Sequence, residues 1–185
     1  RYTVTLRDGR CVRVRPVHAA DAPAAQAFVE ALSPQSRRRR FHGALKHLPP
    51  AALRALTAVD QHRHVAVVAE AGCAHGAARL VAEARYVRGS DTDAFAEADS
   101  DDADADPARD DLAEGEAEFA IVVADDWQGV GLAGALMQRL GQHARVQGIG
   151  VLRGSVLADN GPMLGLMRRL GAVLHGDPFD ASVVH

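Results

Sequence analysis

The sequence predicts one α/β (α+β) domain built around a mixed β-sheet, and three observations carry that expectation. Short alternating or apolar runs interleave with segments of helical period in the order strand, two or three helices, three strands, helix, strand, helix, strands. The 185 residues, 48% hydrophobic and 24% charged, suffice for one buried core and are too apolar for a disordered chain. No run of eighteen apolar residues is present to cross a bilayer, and no basic start followed by an apolar stretch marks a signal peptide.

Residues 11–17 (CVRVRPV) alternate apolar side chains with arginine, as a half-buried strand does, and Pro16 ends the run. Asp21-Ala22-Pro23 reads as a helix start, an acidic cap with proline in the first turn. That helix runs to about Leu32 with Ala24, Ala27, Phe28, Ala31 and Leu32 on one face. Ser33-Pro34 caps a second short helix through Arg37–Arg40. Pro49-Pro50 opens a third over 51–59, with Leu53, Leu56 and Val59 inward.

Two strands follow, 64–70 (HVAVVAE) and about 77–87, separated by Gly72 and Gly76. Residues 89–115 are rich in Asp and Ala and follow neither period, which reads as a solvated, mobile insertion between two strands. Strand character returns at 117–124 (AEFAIVVA). A turn over 125–131 leads into a helix reaching about Gln147, with Leu132, Leu136, Leu140 and Ala144 at i+4 spacing. Residues 149–157 (IGVLRGSVL) form another strand. Asn160-Gly161-Pro162 caps a helix that ends at Gly171. The stretches 172–175 and 181–184 read as a last strand pair. One domain over 1–185 is the expected organisation.

Charge is unevenly placed. The net −3 hides a segment, 91–116, with twelve acids and one base (−11), and a remainder of +8. A basic body attracts phosphate-bearing ligands. Cys11 and Cys73 lack zinc-site spacing and read as reduced thiols of a cytoplasmic protein. Arg37–Arg40 without interleaved aromatics reads as a solvated helix face rather than a nucleic-acid site. His62 and His64 lack a third ligand, so no metal is expected. Trp127 reads as packing for the loop beside it.

The segment that carries chemistry is 118–134, EFAIVVADDWQGVGLAG. A strand feeds a glycine-rich turn that opens a helix, and such a turn presents backbone N–H groups and a helix dipole to an anion. Gly129, Gly131 and Gly134 also spell G-x-G-x-x-G. The dinucleotide setting is absent, because 128 residues precede the motif and Arg153-Gly154 stand where a ribose-binding acid belongs.

Gln128-Gly129-Val130-Gly131-Leu132-Ala133 resembles the Q/R-x-x-G-x-G/A motif of the Gcn5-related N-acetyltransferases (GNAT). Val123 with Ala-Asp-Asp-Trp behind it, Asn160, Leu170-Gly171, Val14-Arg15-Pro16, the helix from Asp21, and Leu32-Ser33-Pro34 extend the likeness over nearly the whole chain. The nearest likeness is to the acetyltransferase domains of bacterial protein lysine acetyltransferases. The resemblance implies a GNAT-like fold that uses acetyl-CoA as co-substrate, with a protein lysine or a small amine as acceptor. A non-catalytic acyl-CoA sensor is the remaining alternative, and neither nucleic acid nor a membrane is a partner.

By resemblance, Gln128, Gly129, Val130, Gly131, Leu132, Ala133 and Gly134 hold the coenzyme pyrophosphate. Ile121, Val122 and Val123 line the pantetheine arm, and the Val123 N–H faces the thioester carbonyl. Asn160 is a helix cap from its own sequence context and a coenzyme contact by resemblance. Glu118, ten residues before Gln128, takes the general-base position, with Glu116 on the same strand face in reserve. Met167 stands where many relatives carry a tyrosine that protonates the leaving thiolate, so no acid is named.

Overall fold

In the computed structural model, which describes residues 1–41, 46–73, 76–89 and 115–185, the alternation of CVRVRP becomes strand β2 (Cys11–Pro16). Val12 and Val14 are 1% and 0% exposed, while the arginines between them turn to acids. Arg13 Nε donates to Glu70 (2.8 Å), and Arg15 reaches both Asp21 oxygens (2.7 Å each) and Glu70. Asp21 thus ties β2 to the helix that follows. It does not cap that helix through its side chain as the sequence suggests, because its carboxylate is taken by Arg15 and the His18 N–H (2.8 Å). Strand β1 (Tyr2–Thr5) pairs antiparallel with β2. Its four residues offer too short an alternation to be read from sequence.

Helix α1 spans Ala22–Ala31, α2 Pro34–Phe41 and α3 Pro50–Thr57. Of the face expected inward on α1, Phe28 and Leu32 are buried, with Val29 beside them, whereas Ala24, Ala27 and Ala31 are exposed. On α3, Ala52, Leu56 and Thr57 are buried, whereas Leu53 and Val59 are half-buried, Val59 lying past the helix end. Strands β3 (His64–Cys73) and β4 (Gly76–Val87) pair antiparallel, and β4 pairs antiparallel with β5 (Glu116–Val123). The acidic insertion expected over 89–115 falls almost wholly on 90–114, outside the described residues. Helix α4 (Leu132–Val146) leads from β5 to β6 (Val151–Arg153), and the sheet order is β1-β2-β3-β4-β5-β6. A helical crossover between neighbouring strands is the parallel connection that makes the sheet mixed.

Antiparallel register fixes which side chains share a face. Val87, Arg85 and Glu83 stand opposite Glu118, Ala120 and Val122. Tyr86, opposite Phe119, points to the other face, where its hydroxyl meets His143 Nδ1 of α4 (2.8 Å). On the first face a buried ionic cluster joins sheet and helices. Arg85, 2% exposed, donates to Glu83, to the Leu56 carbonyl of α3 (3.0 Å) and to His64 Nε2 (2.9 Å); Arg40 of α2 lies 3.6 Å from Glu83. Burial pushes the Glu83 carboxyl up, but Arg85 and Arg40 hold it below its ordinary value. The cluster therefore stabilises the fold above the unfolded-state pKa and is lost as pH falls through the lower folded value. Glu83→Ala takes away the buried carboxylate that Arg85 and Arg40 face, so urea denaturation should show a loss of about 3–5 kcal/mol.

The arginine run of α2 is not the solvated face its composition suggests. Arg37 is 9% exposed and donates to the Leu32 carbonyl at the end of α1, where a cation complements the helix dipole. Only Arg38 of the four is exposed.

Contacts divide the chain into two units, Arg1–Leu152 and Arg153–His185. The strand expected over 149–157 is interrupted at Gly154-Ser155, leaving β6 and, in the second unit, the short β7 (Val156–Leu157). β7 pairs antiparallel with β8 (Val183–Val184). Between them, α5 (Gly161–Arg169) is capped by Asn160, whose Oδ1 accepts the Met163 N–H (3.4 Å). No strand forms over 172–175. The Ala172 N–H closes the helix on the Met167 carbonyl (3.0 Å), and His175 exchanges backbone bonds with His185 (2.8 and 2.7 Å). His185 also bridges Ser155 (3.1 Å) and Asp177 (2.8 Å), fastening the last strand.

Candidate active site

The candidate site in the first unit is organised by the outer edge of β5. The Gly150 and Val151 N–H groups both reach the Gly115 carbonyl (2.8 and 3.3 Å). Pairing with β6 therefore begins at the residue just before β5 and, with β6 three residues long, stops short of Val123. The Ala124 N–H bonds the Val81 carbonyl on the β4 side (2.8 Å). Successive N–H groups of a strand point to opposite edges, so those of Val123 and Ile121 point to the outer edge. Ile121, Val122 and Val123 are each 8% exposed; Val122 shares the Glu83 face, the other two the Tyr86 face.

After β5 the chain makes a 3₁₀ turn (Asp125–Trp127) and enters the glycine loop. Gly129 and Gly131 take φ of +76° and +95°, a region that L side chains enter only under strain. Gly131 is the N-cap of α4, and the Ala135 N–H to Gly131 carbonyl bond (3.1 Å) is the first of the helix. The N–H groups of Leu132, Ala133 and Gly134 precede that ladder, at the positive end of a fifteen-residue helix whose first turn holds no acid. An anion fits there by both hydrogen bonding and charge.

The loop is braced from two sides. Asp125 accepts from the Ser33 N–H (2.8 Å), Ser33 Oγ (2.7 Å) and Ser36 Oγ (2.8 Å), while Ser33 Oγ caps α2 at the Ser36 N–H (3.2 Å). Burial pushes the Asp125 carboxyl up, and these three bonds outweigh it and hold it below its ordinary value. Gln128 Nε2 donates to Ser36 Oγ (3.1 Å) and to the Val123 carbonyl (3.0 Å), and its N–H reaches the Asp125 carbonyl (3.3 Å). The motif glutamine thus spends its donors on joining β5, the loop and α2. On the other side stands the β1–β2 hairpin. The Arg7 N–H donates to the Val130 carbonyl (3.2 Å), Arg10 Nη1 donates to the Asp126 carbonyl (3.0 Å), and the Arg10 guanidinium lies 4.0 Å from the centre of the Trp127 ring.

Glu118 is half-buried on β5, on the face that carries Glu83 and Arg85, and Glu116 is half-buried two residues earlier on the same face. A cavity of about 550 Å³ opens between α1, the start of β4 and the loop after β5. It is lined by Ala24, Ala27, Phe28, Ala31, Leu80 and Asp125, which accounts for the exposed alanine face of α1. Asn160, in the second unit, is 8% exposed and serves as a helix cap. No group of three His, Cys, Asp or Glu suited to a metal occurs among the described residues, and no helix among them is long and apolar enough to cross a membrane.

Sequence reading located the loop, the strand and the glutamates but not Asp125, Ser33, Ser36, Arg7 or Arg10. The Ser33-Pro34 cap signal was visible. Its partner ninety-two residues away was not.

A model of the acetyltransferase (GNAT) family matches residues 36–172. An acetyltransferase of Pseudomonas aeruginosa is 32% identical over the whole chain and 87% of its own length. The crystal structure of the GNAT domain of S. lividans PAT superposes with a TM-score of 0.77 at 30% identity, covering 99% of this chain and 93% of that one. A cAMP-binding acyltransferase from Mycobacterium smegmatis superposes with a TM-score of 0.58 at 28% identity; it covers 99% of this chain, which spans 45% of its length.

Proposed function

The chain belongs to the GNAT acetyltransferase family, whose members take their acetyl group from acetyl-CoA, and we propose that it passes that group to the side-chain amine of a protein lysine by direct attack in a ternary complex. The observation that supports the reading most is the open outer edge of β5, with a glutamate upstream on the strand and an anion-binding helix terminus directly downstream. The likeness, over nearly the whole chain, to bacterial protein lysine acetyltransferases supports a protein lysine as the acceptor.

In this reading the diphosphate of acetyl-CoA lies at Gly129–Gly134 and the pantetheine arm runs along Ile121–Val123 in place of a neighbouring strand. Asp125 and Gln128 act indirectly by fixing the turn between strand and helix. A lysine arrives as ammonium. Glu118 takes one proton, the freed amine nitrogen forms a bond to the thioester carbon, and the carbon–sulfur bond breaks to release the CoA thiolate, which receives through water the second proton that the nitrogen sheds as the amide forms. A preorganised N–H at the developing oxyanion stabilises the tetrahedral species.

Two N–H groups face that edge, Val123 and Ile121. Glu118 and Val123 are five residues apart, roughly 16 Å at the strand rise of about 3.3 Å per residue. Proton transfer to Glu118 from an amine at Val123 therefore runs through water, whereas Ile121 brings the carbonyl about 7 Å closer. Glu116 lies farther still and is the reserve base. Met167 has no proton to donate, so thiolate leaves directly or is protonated by water.

Thiol release from acetyl-CoA, followed with a lysine-bearing peptide, a polyamine or neither, tests the assignment. The peptide should accelerate release. Acceleration by the polyamine alone makes the acceptor a small amine, and coenzyme binding without release under any condition makes the protein an acyl-CoA sensor.

A further inference from the structure

We propose that Arg7, at the tip of the β1–β2 hairpin, is a diphosphate-binding residue that completes the donor site from outside the glycine loop; this rests on the placement of acetyl-CoA at the N-terminus of α4. The hairpin tip is a tight turn, with the Leu6 N–H bonded to the Arg10 carbonyl (2.8 Å), the Gly9 N–H to the Leu6 carbonyl (3.0 Å) and Gly9 at φ +83°. The turn is fastened to the loop through the Arg7 N–H on Val130 and through Arg10 on Asp126 and Trp127. The two arginines of the tip then differ. Arg10 is committed: besides those contacts its Nε pairs with Asp8 at 2.5 Å. Arg7 is exposed, and among the described residues no side chain pairs with its guanidinium.

The Arg7 side chain is laid over the helix N-cap. A Cβ built on Gly131 would meet Arg7 Nε at 3.5 Å, Cγ at 3.6 Å and Cδ at 3.7 Å. A guanidinium against the positive end of a fifteen-residue helix is electrostatically unfavourable on its own, since that end attracts anions and repels cations. The first turn of α4 supplies no acid to compensate, and Asp8, the nearest acid in sequence, is taken by Arg10. A bound anion resolves the conflict, because it accepts from the helix N–H groups and from the guanidinium together. A diphosphate offers oxygens for both, and charge-assisted guanidinium–phosphate bonds are among the strong ones.

The test compares acetyl-CoA, acetyl-dephospho-CoA and S-acetylpantetheine on the wild type, Arg7→Ala and Arg7→Lys, with circular dichroism to confirm folding. Arg7→Ala should weaken acetyl-CoA binding by calorimetry roughly 10–100-fold, the range for one hydrogen bond to a charged group. Arg7→Lys should recover part of the loss, and kcat at saturating donor should hold. The same loss is expected with acetyl-dephospho-CoA, and none with S-acetylpantetheine, which lacks the diphosphate. An equal loss with S-acetylpantetheine would show that Arg7 acts by shaping the loop and would overturn the proposal. A loss confined to acetyl-CoA would move Arg7 to the 3′-phosphate and overturn it too. Unchanged acetyl-CoA affinity in Arg7→Ala, with binding still abolished in Gly131→Val, would remove Arg7 alone; unchanged affinity in both variants would remove the donor site itself.

Discussion

Glu118→Gln should lower turnover about 10²–10⁴-fold, the usual worth of a positioned general base, while acetyl-CoA affinity stays near the wild-type value. The two readouts separate because Glu118 and the glycine loop occupy opposite ends of the same strand and turn, ten residues apart in sequence. Glutamine keeps the shape and the hydrogen-bonding reach of the side chain but cannot hold the ammonium proton. The pH profile gives the sharper check. Where the wild-type carboxyl is itself protonated the two enzymes have the same defect, so the ratio of their rates should shrink toward low pH and grow as pH rises through the titration of the base. Adding Glu116→Gln should lower the residual rate further only if the reserve carboxylate substitutes through water. Wild-type turnover in the Glu118→Gln variant would transfer the proton to Glu116 or to solvent and sink the assignment.

The elements that sequence disclosed best were those whose signal is local. The run AEFAIVVA, the glycine turn and the i+4 leucines of α4 each lie inside one window, and each became the expected element within a residue or two. The GNAT motif is equally local, which is why Gln128–Gly134 stands out in the sequence alone. Where the outcome depended on distant partners, composition misled. Four consecutive arginines read as a wet face, yet Arg37 is buried on the end of α1 and Arg40 lies 3.6 Å from Glu83 of β4. Ala24, Ala27 and Ala31 form an apolar stripe of helical period, but they line a cavity, because small side chains fit a groove as well as a core and periodicity alone cannot distinguish the two. The ionic cluster of Glu83, Arg85 and Arg40 and the Asp125 brace join residues tens of positions apart. In both, acids are held by donors that packing brings to them, and no spacing rule announces the pairs. The glycine loop and the strand that carries the two glutamates were therefore legible, while the groups that brace the loop were not.

Gly131→Val should abolish acetyl-CoA binding while leaving the fold intact, and the backbone says why. At φ +95° and ψ −1° a β-branched residue is strained by roughly 1–3 kcal/mol, and the cost is relieved only if the N-cap swings toward negative φ. That swing redirects the Leu132 and Ala133 N–H groups, the proposed anion donors, and drives the Val130 carbonyl off the Arg7 N–H that fastens the hairpin tip (3.2 Å). Each lost hydrogen bond to a charged ligand is worth about 1.5–3 kcal/mol, so losing two should weaken binding about 10²–10⁴-fold. Space is a lesser obstacle, since the nearest atoms a Cβ meets are the Arg7 side chain at 3.5–3.7 Å, an ordinary contact. The global fold should survive: α4 remains anchored by Leu132, Leu136 and Leu140, each 2% exposed or less, and a strain of this size is a fraction of the stability of a domain. Calorimetry with acetyl-CoA, beside a thermal melt of the same sample, reads both halves of the expectation. A folded Gly131→Val protein that binds acetyl-CoA as the wild type does would show that the diphosphate is held somewhere other than the N-terminus of α4.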